Sequence, residues 1–194
     1  MQAYLDKRRI RRGIAVRFGM GAAPDSWDAL LTAMTHKGYT KQELISAGLA
    51  VNGKNGRLYD KFRNRLMLPV IDVRGDVVGF GSRVLDKSEP KYMNTPETLT
   101  YSKRRILYGM NLAKKSKRSN IILCEGNLDV VTLHQAGFDN AVASMGTALT
   151  QEQLRLLSRY TKELVLCYDN DNAGQQATRR ALELLNNLSL IHIS

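Results

Sequence analysis

Acidic side chains follow two apolar runs in the second part of the chain. The run LVLCYDNDNAG puts Asp169 and Asp171 directly after apolar residues, and IILCEGNLDVV puts Glu125 at the end of an earlier run. Neighbouring carboxylates repel one another, so both stay ionised at low cost only when a cation lies between them. Mg²⁺ prefers oxygen ligands and often binds through one or two carboxylates plus substrate phosphates. The pattern therefore indicates a magnesium site, provided that the fold brings these acids together.

The elements that must position the acids alternate between strand and helix. IILC, AVASMG and LVLCYD have the apolar composition of buried strands, and helical patterns run over about 128–136, 150–160 and 173–188. This order predicts parallel strands with crossover helices, whose functional edge is formed by the carboxyl ends of the strands. We expect the three acids at that edge. The alternative is that Asp169 or Asp171 only caps a helix and that Glu125 is a solvated loop acid.

The first part of the chain has a different pattern. PDSWDALLTAMTHKGY has helical spacing, with Asp25 or Ser26 as the expected cap. TKQELISAGL predicts a second helix, with a capping box of Thr40 and Glu43 and a stop at Gly48. The stretch RLMLPVIDVRGDVVGFGSRVL contains two β-rich runs around an Arg-Gly-Asp turn, which predicts a hairpin.

Charge divides the chain in the same way. Of the 194 residues, the first 120 hold 24 Lys and Arg against 10 Asp and Glu, which is +14, whereas the rest hold 5 against 8, which is −3. A basic first part is what a polyanion partner needs, because each neutralised phosphate releases counterions. The alternative is a merely soluble basic surface. The joint is predicted near AKKSKRSN, just before IILC.

The sequence also limits the compartment. No apolar run approaches the roughly 20 residues that a spanning helix needs, and the start lacks the apolar core of a secretory signal. Cys124 and Cys167 each lie inside an apolar run, so we expect both to be reduced and buried. We therefore expect a cytoplasmic protein that does not bind membranes.

Several motifs resemble those of one family. EGNLDVVTLHQAGFDNAVASMGTALT followed by CYDNDNAGQQA is similar to the Toprim fold of bacterial DnaG-type primases, whose usual forms are EGYMDV, VASLGTALT and DGDxAG. Upstream, YDKFRNRLMLPVIDVRGDVVGFGSRVL, PKYMNTPET and KRRILYG resemble the same proteins. The resemblance covers nearly the whole chain. It implies an α/β fold in two parts: a mixed α+β basic subdomain over 1–118 and a partial, Rossmann-like Toprim subdomain with a parallel sheet over 119–194.

The resemblance also implies roles for matching positions. Glu125 would be the Toprim acid, Asp169 and Asp171 the metal-binding pair, and Asp129 an additional ligand or a residue behind the ligands. Mg²⁺ or Mn²⁺ is the implied metal, because phosphoryl transfer needs cations that offset charge in the transition state. Basic-groove residues of the family contact the nucleoside triphosphate or the template. The matching positions are Arg8, Arg63, Arg65, Arg83, Lys91, Tyr92 and Lys103.

The implied activity is that of a primase, which joins ribonucleotides on a single-stranded DNA template during replication. The family also has a zinc-binding module, a further acidic motif and a domain for the replicative helicase, and the final LSLIHIS does not resemble its next strand. We therefore interpret the chain as a fragment with little or no activity alone. Two alternatives stay open: part of another Toprim enzyme, a nuclease or topoisomerase, or a non-catalytic module that binds single-stranded DNA.

Overall fold

The computed structural model describes residues 1–146, 148–186 and 192–193. The helices are α1 (Gln2–Lys7), α2 (Arg12–Arg17), α3 (Ala29–His36), α4 (Lys41–Ser46), α5 (Met110–Ala113), α6 (Asn127–Gln135), α7 (Gln151–Leu157) and α8 (Asn172–Asn186). The strands are β1 (Gly21–Ala23), β2 (Ala50–Asn52), β3 (Leu58–Asp60), β4 (Arg65–Ile71), β5 (Val77–Val84), β6 (Tyr92–Asn94), β7 (Leu107–Tyr108), β8 (Asn120–Cys124), β9 (Ala141–Ser144), β10 (Glu163–Cys167) and β11 (His192–Ile193).

The chain divides into two compact units. The first comprises 1–69 and 78–102, and the second comprises 70–77 and 103–194. The predicted α/β class with a parallel sheet is confirmed. The subdomains 1–118 and 119–194 stay predictions, and the compact units differ from them. Residues 103–118 group with the later residues, because β7 joins their sheet and Met110 of α5 lies in their core.

The main sheet of the first unit has the order β1-β4-β5-β6, and β2 and β3 form a separate antiparallel pair. The predicted hairpin is confirmed as β4 and β5, whose turn belongs to the second unit. Asp72 organises that turn, because its carboxylate accepts hydrogen bonds from the backbone N–H groups of Arg74, Gly75 and Asp76. The turn is therefore held by a side chain as well as by the glycine.

Helix α3 begins later than predicted. Its N-cap residue is Asp28, not Asp25 or Ser26, and the Asp28 side chain makes no capping bond. The first turn is capped by the buried Asp60 of β3, whose carboxylate accepts from the N–H groups of Leu30 at 2.7 Å and Leu31 at 2.9 Å. The cap of α3 is therefore Asp60, about thirty positions away, and not a neighbouring residue as the sequence predicted.

Helix α4 has the predicted ends. Thr40 and Glu43 form the capping box, and Gly48 follows the helix with a φ of 68°. A side chain at Gly48 would also be crowded, because a Cβ there would lie 2.7 Å from the ring of Pro96. Glycine is therefore required at this stop by conformation and by space.

The sheet of the second unit has the order β11-β10-β8-β9-β7. The predicted parallel pairing is confirmed, since β8 is parallel to both β9 and β10. Two edges were not expected. β7 pairs antiparallel with β9, and His192 and Ile193 pair with β10, although no strand was expected in LSLIHIS. The remaining residues of LSLIHIS, and Leu188 at the predicted end of α8, lie outside the described residues.

The core of the second unit lies between this sheet and its helices. Leu123, Val142 and Leu164 from the three central strands are fully buried there, together with Leu154 and Leu157 of α7. Burying each of these side chains contributes roughly 1.5–3 kcal/mol to the stability of the fold. This core holds the strands in place, and Glu125 and Asp169 follow the carboxyl ends of two of these strands.

The two cysteines are free, but only Cys124 is buried as predicted. The expectation for Cys167 is wrong, because it is exposed. Cys124 pairs with Ala143 on one side and with Cys167 on the other, whereas in the described residues Cys167 has a strand partner only on the Cys124 side. Burial raises the pKa of Cys124 to about 12, so its thiol stays protonated near neutral pH. In the described ranges, no helix is both long and apolar enough for a membrane span.

Candidate functional site

The acids of the second unit lie at the carboxyl ends of two adjacent strands. Cys124 of β8 pairs in register with Cys167 of β10, so Glu125 and Asp169 follow at the same edge. One carboxylate oxygen of Glu125 accepts the backbone N–H of Asp169 at 3.4 Å. Both side chains are exposed. The parallel register therefore brings Glu125 to the start of the loop that carries both aspartates.

Asp171 directly precedes helix α8. Its Oδ1 accepts the backbone N–H of Gly174 at 2.8 Å, as a helix cap does. The alternative that Asp171 caps a helix is therefore correct for its Oδ1. This hydrogen bond does not involve Oδ2. Gly174 must also be glycine, because a Cβ there would overlap the backbone carbonyl of Asp169. The close packing of Gly174 against Asp169 therefore restrains the backbone that carries both aspartates.

Asp129 has a local structural role. It is the third residue of α6, and its Oδ2 accepts the backbone N–H of Gly126 at 3.0 Å. This bond ties the loop that follows Glu125 to the first turn of α6. Asp129 is exposed and one turn away from Glu125, so it can support that loop whether or not it reaches a metal.

The donor set suits a hard divalent cation, although it is not assembled as a cage. Glu125, Asp169 and Asp171 supply carboxylate oxygens, the ligand type that Mg²⁺ prefers. Within the described residues, no three acidic, histidine or cysteine side chains are grouped closely enough to hold a metal ion. Mg²⁺ normally keeps several waters and takes other ligands from substrate phosphates, so a partial protein set fits its chemistry.

Four of the predicted basic-groove residues meet in the first unit around two tyrosines. The Arg83 guanidinium lies 5.5 Å from the ring of Tyr4 and 4.9 Å from that of Tyr92, and it donates a hydrogen bond to the Tyr92 hydroxyl. Arg8 lies 5.6 Å from the Tyr4 ring and Lys91 lies 5.7 Å from the Tyr92 ring. We call these five residues the Tyr4 cluster.

Burial raises the pKa of Tyr4 against the opposing charges of Arg83 and Arg8, so this hydroxyl stays neutral near pH 7. Tyr92, by contrast, is 55% exposed. The Tyr4 cluster therefore presents three cations beside one open aromatic face. Guanidinium groups bind phosphates in bidentate geometry, and an open ring can stack a base.

A second cluster surrounds Arg63. Its guanidinium lies 4.2 Å from the ring of Trp27 and 5.0 Å from that of Tyr59, and the two rings pack edge to face at 5.4 Å. Trp27 is 60% exposed, which is unusual for so large an apolar side chain. An open cavity of about 420 Å³ adjoins both rings and the nearby Lys54 and Arg57. We call Trp27, Tyr59 and Arg63 the Trp27 cluster.

Two predicted contact residues lie elsewhere. Arg65 is only 5% exposed and donates to the carbonyl of Pro90 at 2.8 Å. Burial lowers the pKa of Arg65, and the neighbouring charge of Arg63 lowers it further. Lys103 belongs to the second unit, where its carbonyl accepts from the buried Gln153 of α7. Roles of Arg65 and Lys103 in nucleotide or template binding stay predictions.

The sequence analysis missed three aromatic residues of these clusters. Tyr4 of α1 lies four positions before Arg8, the C-cap residue of that helix, and this helical spacing could have signalled the contact. Trp27 was read only as part of an apolar helical face, and Tyr59 was not singled out. Their contacts with Arg63 connect separate elements, so no short-range pattern announces them.

Comparison with known proteins agrees with this architecture. Residues 1–114 match the family described as DNA primase catalytic core, N-terminal domain, and residues 122–193 match the family described as Toprim-like. The second match shows that the later residues form a Toprim-like region. Because the first match covers more than half of the chain, the chain belongs to the DnaG-type primase catalytic core family.

Curated relatives are similar over nearly the whole chain. The DNA primases of Clostridium acetobutylicum and Escherichia coli K12 are 51% and 44% identical over 94% and 93% of it, corresponding to 30% and 31% of their own lengths. The chain therefore spans about a third of the curated relatives that it matches. It is also similar to the solved E. coli primase catalytic core, with a TM-score of 0.89 and 43% identity over 95% of this chain and 59% of that one.

A second solved structure shows a nucleic-acid complex. The structure described as a DnaG primase catalytic domain bound to single-stranded DNA has a TM-score of 0.88 and 42% identity. The match covers 95% of this chain and 60% of that one. That protein binds single-stranded DNA, and it has the same fold.

Proposed function

We propose that this chain is part of the polymerising core of a DNA primase, which joins ribonucleotides on a single-stranded DNA template and releases pyrophosphate. The observation that carries the proposal is the contact of Glu125 with the backbone of Asp169 at the carboxyl edge of the parallel sheet. This edge is where phosphoryl-transfer chemistry on such a sheet needs its acids. Relatives of this fold are named DNA primase.

In this proposal Glu125, Asp169 and Asp171 hold Mg²⁺ or Mn²⁺, and Asp129 supports the loop beside them. A metal ion held by these residues would supply the positive charge that offsets the charge developing in the transition state. Gly174 keeps the two aspartates close to the end of β10, because only glycine fits against the Asp169 carbonyl. The protein would thus contribute the oxygen ligands and a restrained backbone that connects the two aspartates.

The first unit would supply the cations. Arg8, Arg83 and Lys91 of the Tyr4 cluster would bind the phosphates of an incoming ribonucleoside triphosphate, with Tyr92 as a stacking face. Arg63 and Trp27 would bind the template strand, because a guanidinium beside an exposed indole suits a base and its phosphate. We keep Arg65 and Lys103 as predicted contacts of the same ligands.

The proposed setting is bacterial replication in the cytoplasm. By analogy with the family, template presentation would involve a zinc-binding module and delivery to the fork would involve the replicative helicase. A primase must bind ribonucleoside triphosphates, must bind DNA and must need its metal-binding acids. The nuclease, topoisomerase and purely DNA-binding alternatives do not require all three properties together.

The test is primer synthesis by a chimera in which this chain replaces the matching third of E. coli DNA primase, assayed with labelled ribonucleotides, single-stranded template and Mg²⁺ or Mn²⁺. We expect template-dependent primers from the chimera and a loss of at least hundredfold in Asp169→Ala, because aligned phosphoryl transfer depends on its positioning groups. Arg179→Ala on α8 is the matched control. A folded chimera that binds DNA but makes no primers, or equal synthesis by Asp169→Ala, would overturn the proposal.

The 194-residue chain itself can be tested for metal. Mn²⁺ or Mg²⁺ should bind weakly and raise the melting temperature by mass action. Asp169→Ala and Asp171→Ala should each remove most of that rise. An unchanged rise in both variants would show that the acids do not hold the metal.

A further inference from the structure

A cavity of about 350 Å³ lies in the second unit beside α7. Its floor is apolar, because Leu107 and Met110 belong to the buried core and Leu156 packs against that core. Sites for small molecules begin at roughly this volume, about 300 Å³. None of the four acids at the carboxyl edge of the sheet lines this cavity, so it is a separate feature.

The rim of the cavity is rich in arginine. Arg155 and Arg159 lie four residues apart at the end of α7 and in the turn after it, and Arg105 lies just before β7. None of the three forms an ion pair with a carboxylate in the part of the chain that the structure describes. The rim therefore carries three cations that are available to an anion.

The acids of the lining are already engaged. Glu152 lies 3.6 Å from Arg104, and Asp72 lies 3.0 Å from Arg74. Asp72 also accepts three backbone hydrogen bonds in its turn. Glu152 also interacts electrostatically with Arg155, so it offsets part of one rim charge. The lining still holds three arginines against two acids, and the cavity therefore combines an apolar floor with a net positive rim.

We propose that this cavity, the arginine pocket, binds a small phosphorylated ligand with a planar apolar body, as a nucleotide has. Guanidinium groups bind phosphate oxygens in bidentate geometry, and Arg155 and Arg159 are spaced to act on one anion from the same side. The floor of Leu107, Met110 and Leu156 takes the planar body out of water. The arginine rim alone would suit any phosphate, and the apolar floor alone would suit any apolar group. Only the two together suit a nucleotide, which has both a phosphate and a planar base.

The experiment uses the 194-residue chain and ADP without divalent metal, measured by calorimetric titration. Inorganic pyrophosphate supplies the anion without a base, and adenosine supplies the base without the anion. We expect ADP to bind more tightly than either. The double variant Arg155→Ala/Arg159→Ala should weaken ADP binding at least tenfold, and Arg105→Ala, on a different element, should weaken it severalfold. The double variant Arg179→Ala/Arg180→Ala on α8 is the charge-matched control.

A second measurement separates this pocket from the proposed active site. Crosslinking with 8-azido-ADP followed by peptide mapping should label peptides from 103–110 or 151–160, and labelling should persist in Arg83→Ala/Lys91→Ala. Labelling confined to 83–94, or ADP affinity unchanged in both pocket variants, would overturn the proposal. Equal binding of pyrophosphate and ADP would overturn the assigned ligand class. All of these outcomes are independent of whether the chain supports primer synthesis.

Discussion

The two compact units hold the charged side chains of their predicted sites in opposite ways. In the first unit, cations rest on aromatic rings: Arg63 on Trp27 and Tyr59, and Arg83 on Tyr4 and Tyr92. In the second unit, exposed carboxylates rest on backbone amides, since Glu125 accepts from Asp169 and Asp171 accepts from Gly174. The cations are thus oriented by side chains from several elements, and the anions by one loop and one strand register.

The difference has a physical cause. A guanidinium on a ring gains cation–π attraction, worth about 0.5–1 kcal/mol at exposed sites, and it keeps its N–H groups for a ligand. Carboxylates gain no such attraction from an aromatic ring, and carboxylates brought close together repel one another unless a cation lies between them. In the proposed function, the basic clusters would therefore be preorganised before a ligand binds, whereas the acidic edge would need a metal ion to complete it.

The largest expected effect tests the rigidity of the acidic edge. Gly174→Ala places a Cβ against the backbone carbonyl of Asp169, which has no flexible atom to give way. We expect a loss of about 3 kcal/mol in the free energy of unfolding, at the upper end for overpacking. The rise in melting temperature with Mn²⁺ should also disappear, because the start of α8 must move.

The matched control for this variant is Gly13→Ala. Gly13 lies in α2 and a Cβ there meets nothing within 4 Å, so alanine should be neutral or stabilising. Denaturant unfolding of both variants gives the comparison. Equal, small changes in the two would show that the acidic edge tolerates displacement.

The next effect tests the cap of α3 in the first unit. Asp60→Ala removes the only side-chain cap seen on α3 in the described residues, a buried carboxylate that accepts two backbone hydrogen bonds. We expect about 2–3 kcal/mol of destabilisation, since hydrogen bonds to charged groups are worth about 1.5–3 kcal/mol each. Asp28→Ala, at the formal N-cap residue without a capping bond, should cost less than about 0.5 kcal/mol. A reversed order in urea unfolding would contradict this assignment.

The sequence predicted what short-range patterns encode. The capping box of α4, the β4–β5 hairpin and the parallel order of β8, β9 and β10 all follow from local spacing and chain order. The same patterns put Glu125 and Asp169 at one edge. Local signals sufficed there, because parallel register carries each residue to a defined end of the sheet.

The failures all involve long-range contacts or very short elements. Asp60 caps a helix about thirty residues before it, and β7, only two residues long, has no detectable period. Cys167 was expected to be buried because its run is apolar, but burial at this edge depends on how many strands flank the residue. The aromatic partners of Arg63 were missed for the same reason: they are assembled by tertiary structure.

A smaller effect tests whether the Trp27 cluster binds nucleic acid by stacking. Trp27→Ala should weaken single-stranded DNA binding by about 1–3 kcal/mol, the usual value for one base on an aromatic ring. The slope of log affinity against log salt should stay constant, whereas Arg63→Ala should flatten it by about 0.7. Fluorescence anisotropy across a salt series measures both. Tyr39→Ala, another exposed aromatic residue of the first unit, is the control, and an equal loss there would contradict a specific platform.

The smallest effect concerns the hairpin turn and pH. Burial tends to raise the pKa of Asp72, but hydrogen bonds from the backbone of Asp76 and from Arg74 outweigh it and leave the pKa below the usual value. A lowered pKa in the folded state means that the contribution to stability is complete above the unfolded pKa of about 3.9 and is lost as the pH falls through the folded pKa. Asp72→Asn should therefore cost about 1 kcal/mol at pH 7 and progressively less below about pH 4.

The measurement is urea unfolding of the native protein and the variant at matched pH values from 3 to 7. Asp76→Asn, whose carboxylate is more exposed and lies 3.5 Å from the same Arg74, is the control. Because exposed ion pairs contribute little, this variant should change the stability by less than about 0.5 kcal/mol at every pH. If the two variants lose stability equally, or if the cost of Asp72→Asn does not fall towards low pH, then the turn is held by its glycine and backbone bonds and the charge of Asp72 contributes nothing to it.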